Sequence, residues 1–202
     1  LLTAYILISQ LGFTSNIFAG PDAALLWATS GAIAPQPTNP IPIAAGVREA
    51  STGFDHFLFI DENDTLWSMG GNNAGQLGDG TTTFGWLPIE VDSGVKAVAA
   101  GLQHSLYLKQ DGSLWAMGQN DRGQLGDGTI IDRSEPVKIA TEVKSISAGG
   151  MYSFYITQED DLWAMGRNDR GQLGDGTTID RSTPVLISSD IESVWAADSH
   201  SL

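Results

Sequence analysis

The stretch GQLGDGT occupies residues 75–81, and it returns letter for letter at residues 123–129 and 171–177. The copies begin at Gly75, Gly123 and Gly171, a constant step of 48 along the chain with no insertion or deletion. Self-similarity at a fixed period of this length is typical of solenoid, propeller and array architectures. The fold is therefore predicted from the repeating unit rather than from any single copy of the motif.

Other residue types follow the same period. Three tryptophans share one place in the unit: Trp67, Trp115 and Trp163. Four prolines share another: Pro40, Pro88, Pro136 and Pro184. Three histidines share a third place, which Tyr152 fills in the remaining unit: His56, His104 and His200. Each unit therefore has one aligned set of structural positions.

The unit that begins at Val95 divides into four short strands. Apolar residues alternate with others in Val95–Gly101 and His104–Gln110, a pattern that predicts half-buried strands. Asp111–Gly112 predicts a tight hairpin turn, after which Ser113–Gly118 returns antiparallel. A fourth short strand is predicted to open at Pro136, because the outer edge of a sheet tolerates proline.

Four short strands in each tandem unit predict one blade of a β-propeller. The fold class is therefore all-β, and neighbouring blades are expected to stack so that each sheet buries its apolar faces. A degenerate first blade extends to about residue 50, and a truncated last blade begins at about residue 190. Residues 20–202 are thus expected to form an incomplete part of a larger ring.

Residues 1–19 carry no charge, and the first charged residue is Asp22. Polar residues interrupt the apolar stretch too often for a membrane span, so no stable membrane insertion is expected. We interpret residues 1–19 as a truncated signal peptide with cleavage after Ala19, which predicts a secreted, periplasmic or cell-surface protein. The alternatives are a buried strand of the first repeat and a cytoplasmic protein.

The composition excludes several classes of function. The 202 residues include 10 Lys and Arg against 24 Asp and Glu, which gives a net charge of −14. Nucleic-acid binding draws most of its affinity from cationic contacts to phosphate, so no nucleic-acid partner is expected. Cysteine is absent, which removes disulfides, thiol catalysis and Cys-based metal sites.

The segments AAGxxHSL and DGSLWAMGxNxxGQLGDGT, followed by Pro-Val, closely resemble the regulator of chromosome condensation repeat, most of all its bacterial branch with short, regular blades. The resemblance covers roughly residues 24–202. The rival Trp-Asp propellers are not favoured, since their Gly-His and Trp-Asp signatures are absent.

This resemblance implies a propeller that closes with seven blades and functions mainly in recognition. The family includes nucleotide-exchange factors for small GTPases, chromatin-docking proteins and secreted inhibitors of β-lactamase. Exchange activity in the founding member depends on loop insertions, and the constant spacing of the units leaves no room for a large one. The leading hypothesis is a non-catalytic scaffold that binds a protein partner. The alternatives are a regulator of another protein, either an enzyme inhibitor or a GTPase exchange factor, and, with less support, a carbohydrate-binding or enzymatic propeller.

The glycine-rich motif matches no cofactor loop. It lacks the Gly-Lys-Ser/Thr of a P-loop and the following helix of a dinucleotide site, and each copy offers mainly one carboxylate for calcium. We therefore predict no cofactor and no metal, and a structural role for its glycines, which supply positive φ. These glycines are Gly75, Gly78, Gly123, Gly126, Gly171 and Gly174.

The repeated histidines and tryptophans are interpreted as structural too. A catalytic site needs different groups that converge, whereas His56, His104 and His200 occupy one position in separate blades. They are expected to point equivalently and to anchor strands through hydrogen bonds, and the tryptophans to fill the core between blades. No catalytic residue is predicted.

Departures from the repeat are the better clue to function. Two units read IIDRSEP and TIDRSTP where the first reads TTFGWLP, so Phe84 and Trp86 replace polar residues in an exposed loop. Large aromatics there predict a protein-binding contact, with local packing over the first blade as the alternative. Four arginines are expected either to form ion pairs or to provide a charged rim for a partner: Arg122, Arg133, Arg170 and Arg181.

Overall fold

A computed structural model describes residues 6–10, 13–19, 24–29, 41–197 and 200. Within these ranges all regular structure is β-strand, arranged as four antiparallel sheets of four strands. No helix in the described chain could cross a membrane. We call the sheets blades 1 to 4. The prediction of an all-β fold built from four-stranded blades is confirmed.

Each blade uses four consecutive strands, paired in chain order. Blade 1 contains β1 (Ile6–Gln10), β2 (Phe13–Ala19), β3 (Ala24–Thr29) and β4 (Ile41–Ala45). Blade 2 contains β5 (Val47–Thr52), β6 (His56–Asp61), β7 (Leu66–Gly70) and β8 (Gly85–Asp92). Blade 3 contains β9 (Val95–Ala100), β10 (His104–Lys109), β11 (Leu114–Gly118) and β12 (Arg133–Ala140). Blade 4 contains β13 (Val143–Ala148), β14 (Tyr152–Thr157), β15 (Leu162–Gly166) and β16 (Arg181–Ser188).

The first strands of neighbouring blades lie side by side. The amide of Val98 in β9 donates to Glu49 Oε1 in β5 at 3.1 Å, and Ala100 N donates to Ser51 Oγ at 3.0 Å. Ala196 N repeats the second contact with Ser147 Oγ in β13 at 2.9 Å. Because these strands are close and the fourth strands lie farther out, each blade runs from the centre of the assembly to its periphery.

The hydrophobic core lies between the blades. One cluster joins Leu58 and Ile60 of blade 2 to Val95 and Tyr107 of blade 3, all buried. On the opposite face of blade 3, Leu106 belongs to a second buried cluster that reaches blade 4. Successive residues of β10 thus face different neighbours, because side chains alternate across a strand. Each blade is stabilised by burial against the blades beside it.

The fourth strand is longer than the sequence suggested. We predicted that it opens at Pro136, but β12 begins at Arg133, which pairs with Gly118. The register shifts between the pairs Ala116–Val137 and Gly118–Arg133. Pro136 therefore lies within an irregularity of the outermost strand, where its missing N–H costs no ladder hydrogen bond.

Part of the region interpreted as a signal peptide contributes strands to blade 1. β1 pairs with β2, and β2 pairs with β3 through backbone partners such as Asn16 and Trp27. Residues 1–5 and 11–12 lie outside the described residues. The signal peptide and its cleavage after Ala19 stay a prediction.

Candidate functional site

Each GQLGDGT loop is organised by a buried asparagine just before it. In blade 2, Asn72 Nδ2 donates to Asp79 Oδ1 at 3.1 Å, and Asn72 Oδ1 accepts from Leu77 N at 3.0 Å. Asn120 and Asn168 make the equivalent bonds in blades 3 and 4. These asparagines are the fixed Asn of the repeat motif, but the sequence alone assigned them no role.

The loop joins its own blade to the next one. Gly80 N donates to Ser134 O at 2.9 Å, and Gly128 N donates to Ser182 O at the same distance. A Cβ added to Gly75 would lie 2.5 Å from Ser134 Cα, and one added to Gly123 would overlap Ser182 Cα. These glycines therefore allow the backbones of two blades to approach.

All six glycines singled out from the sequence have positive φ, between 74° and 85°. Their surroundings differ. A Cβ on Gly78 would overlap Met117 Sδ of the next blade, and one on Gly126 would lie 3.1 Å from Met165 Cγ. At Gly171 and Gly174 the nearest atoms belong to the same unit, at 3.8 and 3.6 Å. Only the first two loops thus make described contacts with a following blade.

The histidines of blades 2 and 3 also bridge blades. His56 Nε2 lies 2.9 Å from Ser105 Oγ, and the same pair in the next blades, His104 and Ser153, lies at 3.0 Å. Ser105 Oγ donates its only proton to Gln76 O at 2.8 Å, so His56 Nε2 must be the donor to serine. Burial lowers the pKa of His56 to about 4; burial and the charge of His56 lower the pKa of His104 to about 3. Both imidazoles are neutral at physiological pH.

The third histidine differs from the other two. His200 is exposed, whereas His56 and His104 are fully buried. The serines that receive the buried imidazoles come from a following blade, and no such strand faces His200 within the described chain. Tyr152 fills the position in blade 4, and its hydroxyl lies 2.7 Å from both Ala197 O and His200 O.

The repeated tryptophans stack within their own blades. Trp67 lies against Phe59, Trp115 against Tyr107 and Trp163 against Tyr155, with ring centroids 6.2–6.3 Å apart. They are half-buried rather than central to the core. Trp115 and Trp163 pack at the borders of the two interblade clusters.

Three of the four singled-out arginines are paired. Arg133 binds Asp127 and Arg181 binds Asp175, each with Nη2 at 2.6 Å from Oδ2. Arg122 Nη1 crosses from blade 3 to Asp180 Oδ2 of blade 4 at 3.2 Å. For Arg170, no ion pair is found among the described residues. The structure therefore gives three of the arginines ion pairs within or between the loops, and the charged rim for a partner stays a prediction.

Blade 2 presents the aromatic patch, which we define as Phe84, Trp86 and Leu87. These side chains are 45%, 80% and 76% exposed. The rings of Phe84 and Trp86 touch, with centroids 4.4 Å apart at an angle of 47°. Between them, Gly85 occupies the position of Arg133 and Arg181, and it pairs with Gly70 as they pair with Gly118 and Gly166.

The change at Gly85 was missed in the sequence, although aligning FGW with DRS would have revealed it. In blades 3 and 4, Asp132 and Asp180 accept from Asn120 N and Asn168 N at 2.7 Å. Phe84 has no acceptor to offer the corresponding amide. Blade 2 therefore lacks both the acid and the arginine that close the other two loops. Within the described residues, no three His, Asp or Glu side chains are grouped so that they could hold a metal ion.

The matches to known protein families fall on the repeated units of the chain. The family model of the regulator of chromosome condensation (RCC1) repeat matches residues 63–108, 111–156 and 159–202. A second model of the same repeat matches residues 47–76, 95–124 and 143–172. Among curated proteins, no sequence matches the chain significantly.

Solved structures of similar fold include the Prp20p propeller of Saccharomyces cerevisiae, with a TM-score of 0.80 and 19% identity over 100% of this chain and 56% of that one. Yeast RCC1 (Prp20) in complex with Kap60 gives a TM-score of 0.75 and 22% identity, over 94% of this chain and 51% of that one. Human WBSCR16 gives a TM-score of 0.76 and 20% identity, over 91% of this chain and 55% of that one. The chain thus spans about half the length of these structures. Since the family model covers most of its length, the chain belongs to the regulator of chromosome condensation (RCC1) repeat family.

Proposed function

We propose that this chain is a protein-binding module and that the aromatic patch is its contact surface. The observation that carries the proposal is the exposed pair of touching rings at Phe84 and Trp86, where the sister blades place Asp and Ser. Exposed aromatics of this size are enriched among the residues that dominate protein interfaces. The alternative of local packing explains Trp86 poorly, because a side chain 80% exposed buries little surface on folding.

Binding rather than catalysis also fits the titratable groups. His56 and His104 are buried, and both use Nε2 to bind a serine of the next blade. A general base must reach a substrate proton, which a fully buried imidazole cannot do. The paired Asp127 and Asp175 are likewise committed to their arginines.

Regulation of another protein is the second candidate. It is supported by the similarity to yeast Prp20p, a structure described together with binding to Gsp1p and histones. A regulator of this kind would use the same recognition surface, and it would additionally alter the activity of the protein it binds. Measuring that activity with and without this chain separates the two candidates.

The test of the proposed function is the double variant Phe84→Ala/Trp86→Ala, used as bait in the source organism. We expect it to lose a partner that the unmodified chain captures, and to bind the purified partner at least about 100-fold more weakly, the range of an interface hot spot. The matched control is Ile179→Ala/Leu186→Ala, which removes two exposed apolar side chains of blade 4. Equal binding by both double variants contradicts the proposal, and so does unfolding of the first variant, which would assign the rings to packing.

We further propose export, on the strength of the uncharged segment 1–19. Cleavage after Ala19 would remove β1 and β2 from blade 1. Sequencing the amino terminus of the mature protein decides this point. Export with cleavage predicts a chain that begins at Gly20, and a mature chain that retains Ile6–Gln10 contradicts it.

A further inference from the structure

Blades 3 and 4 each contain a built site for a guanidinium group. Arg133 places Nε and Nη2 at 2.7 and 2.6 Å from Asp127 Oδ2, and Nη2 also approaches Thr129 Oγ1 at 3.4 Å. Arg181 repeats this geometry with Asp175 and Thr177. The Asp-Gly-Thr end of the glycine loop is thus a receptor for arginine, observed twice in one molecule.

Blade 2 contains the same Asp-Gly-Thr segment without the arginine. There the Thr81 hydroxyl bonds to both Asp79 oxygens, whereas Thr129 and Thr177 bond to the Oδ1 atom alone. Asp79 Oδ1 accepts from Thr81 N at 2.9 Å and from Asn72 Nδ2 at 3.1 Å, as its counterparts do. Gly85 has no side chain to offer, and no cationic side chain of the described residues pairs with Asp79. Thr81 is exposed, whereas Thr129 and Thr177 are half-covered in the blades that hold an arginine.

The charge of the site suits a cation. Burial acts to raise the pKa of Asp79, but hydrogen bonds from Thr81 and Asn72 outweigh it and hold the pKa below its usual value. The carboxylate is therefore ionised at neutral pH. Glu135 of blade 3 adds a second negative charge, since a Cβ on Gly80 would lie 3.5 Å from Glu135 Oε1. Overall, the chain carries a charge of −14.

We infer that Asp79 and Thr81 bind an arginine side chain supplied by the partner protein. This inference rests on the proposed function, because Phe84 follows Thr83, whose hydroxyl bonds to Thr81 Oγ1 at 2.9 Å, so the site borders the aromatic patch. The partner segment therefore presents arginine next to apolar side chains. Arginine is favoured over lysine because two donors of one guanidinium meet the same carboxylate oxygen in blades 3 and 4.

The test uses N-acetyl-L-argininamide as the probe, titrated into the isotopically labelled chain. Backbone amide signals are followed by NMR at Thr81, Thr129 and Thr177. We expect saturable shifts at Thr81 alone, weaker shifts with N-acetyl-L-lysinamide, and at least a tenfold loss of affinity in Asp79→Asn, since a charged hydrogen-bond acceptor is removed. Glu135→Gln, an exposed change in the adjacent blade, is expected to weaken binding about two- to threefold.

Arg133→Ala supplies the positive control, because it uncovers Asp127 and should create a second probe site reported by Thr129. Shifts at Thr129 in this variant, with none at Thr81 in any chain, overturn the inference. Equal affinity of Asp79→Asn and the unmodified chain overturns it too. The probe needs no partner, so this outcome is independent of Phe84 and Trp86. Loss of partner binding on removing those rings would uphold the proposed function even if the arginine site failed.

Discussion

At the scale of the residue, identical residues in the repeat contribute differently to the stability of the described chain. Gly123 and Gly171 have φ values of 77° and 75° and stand at the same place in the motif. A side chain on Gly123 would overlap the backbone of Ser182, whereas one on Gly171 would lie 3.8 Å from its nearest neighbour. A side chain at Gly171 therefore costs only the strain of its backbone conformation. A side chain at Gly123 adds the cost of displacing the next blade.

We predict that Gly171→Ala lowers the free energy of unfolding by about 1–2 kcal/mol, the cost of a left-handed conformation for a residue with Cβ. Gly123→Ala should cost about 1–3 kcal/mol more, because the added methyl group forces the blades apart. Urea unfolding of the two variants measures the difference. Equal losses would show that the loop does not join blades tightly.

The buried histidines predict an acid-sensitive stability. Their pKa values in the folded chain, about 4 and 3, lie below the value of 6.5 expected when unfolded. The unfolded state therefore binds more protons, and stability is lost as the pH falls below 6.5. We expect a loss of about 2 kcal/mol for each histidine at pH 5, where most carboxylates remain ionised.

Unfolding measured between pH 7 and 5 tests this prediction, with His104→Gln as the matched variant. Glutamine keeps an N–H donor for Ser153 but does not titrate. The variant should lose about half of the pH dependence. An unchanged slope would mean that His104 does not stay neutral in the folded chain.

At the scale of the element, local pattern predicts strands better than it predicts their partners. Alternation and the Asp111–Gly112 turn correctly indicate β9, β10 and β11. The extension of β12 to Arg133 could not be predicted locally, because it depends on pairing with Gly118 across the glycine loop. The role of Gly85 could not be predicted locally either. That its position lacks an ion-pairing arginine becomes clear only from the contact between Arg133 and Asp127 in blade 3.

The outer strand β8 provides an element-scale prediction. The triple variant Phe84→Asp/Gly85→Arg/Trp86→Ser restores the sequence of blades 3 and 4 at this strand. We expect it to unfold at the same temperature as the unmodified chain or higher, because the restored arginine can pair with Asp79. A Cβ at Gly85 would meet only Leu77 Cδ1 and Ile89 Cδ1 side-chain atoms closely, and these can shift. Marked destabilisation would instead assign the aromatic patch to packing.

At the scale of the whole molecule, the period of the repeat predicts the architecture because interblade contacts recur with it. The hydrogen bond from His56 to Ser105 between blades 2 and 3 recurs between blades 3 and 4 as that from His104 to Ser153. The bond from Gly80 to Ser134 recurs in the same way as that from Gly128 to Ser182. Blade 1 was less predictable: its first two strands lie in an uncharged segment without the repeat motif. From the sequence this segment fits either a signal peptide or a buried strand, and the structure pairs β2 with β3.

The central claim is that the repeat builds the fold and that its interruption in blade 2 binds a protein partner. The most direct measurement is the dissociation constant of the purified partner for the triple variant Phe84→Asp/Gly85→Arg/Trp86→Ser, compared with the unmodified chain. We predict a complex weaker by at least about 100-fold from an intact fold, because both the aromatic anchors and the free Asp79 receptor are lost. An unchanged dissociation constant would contradict the claim and place the contact surface elsewhere on the propeller.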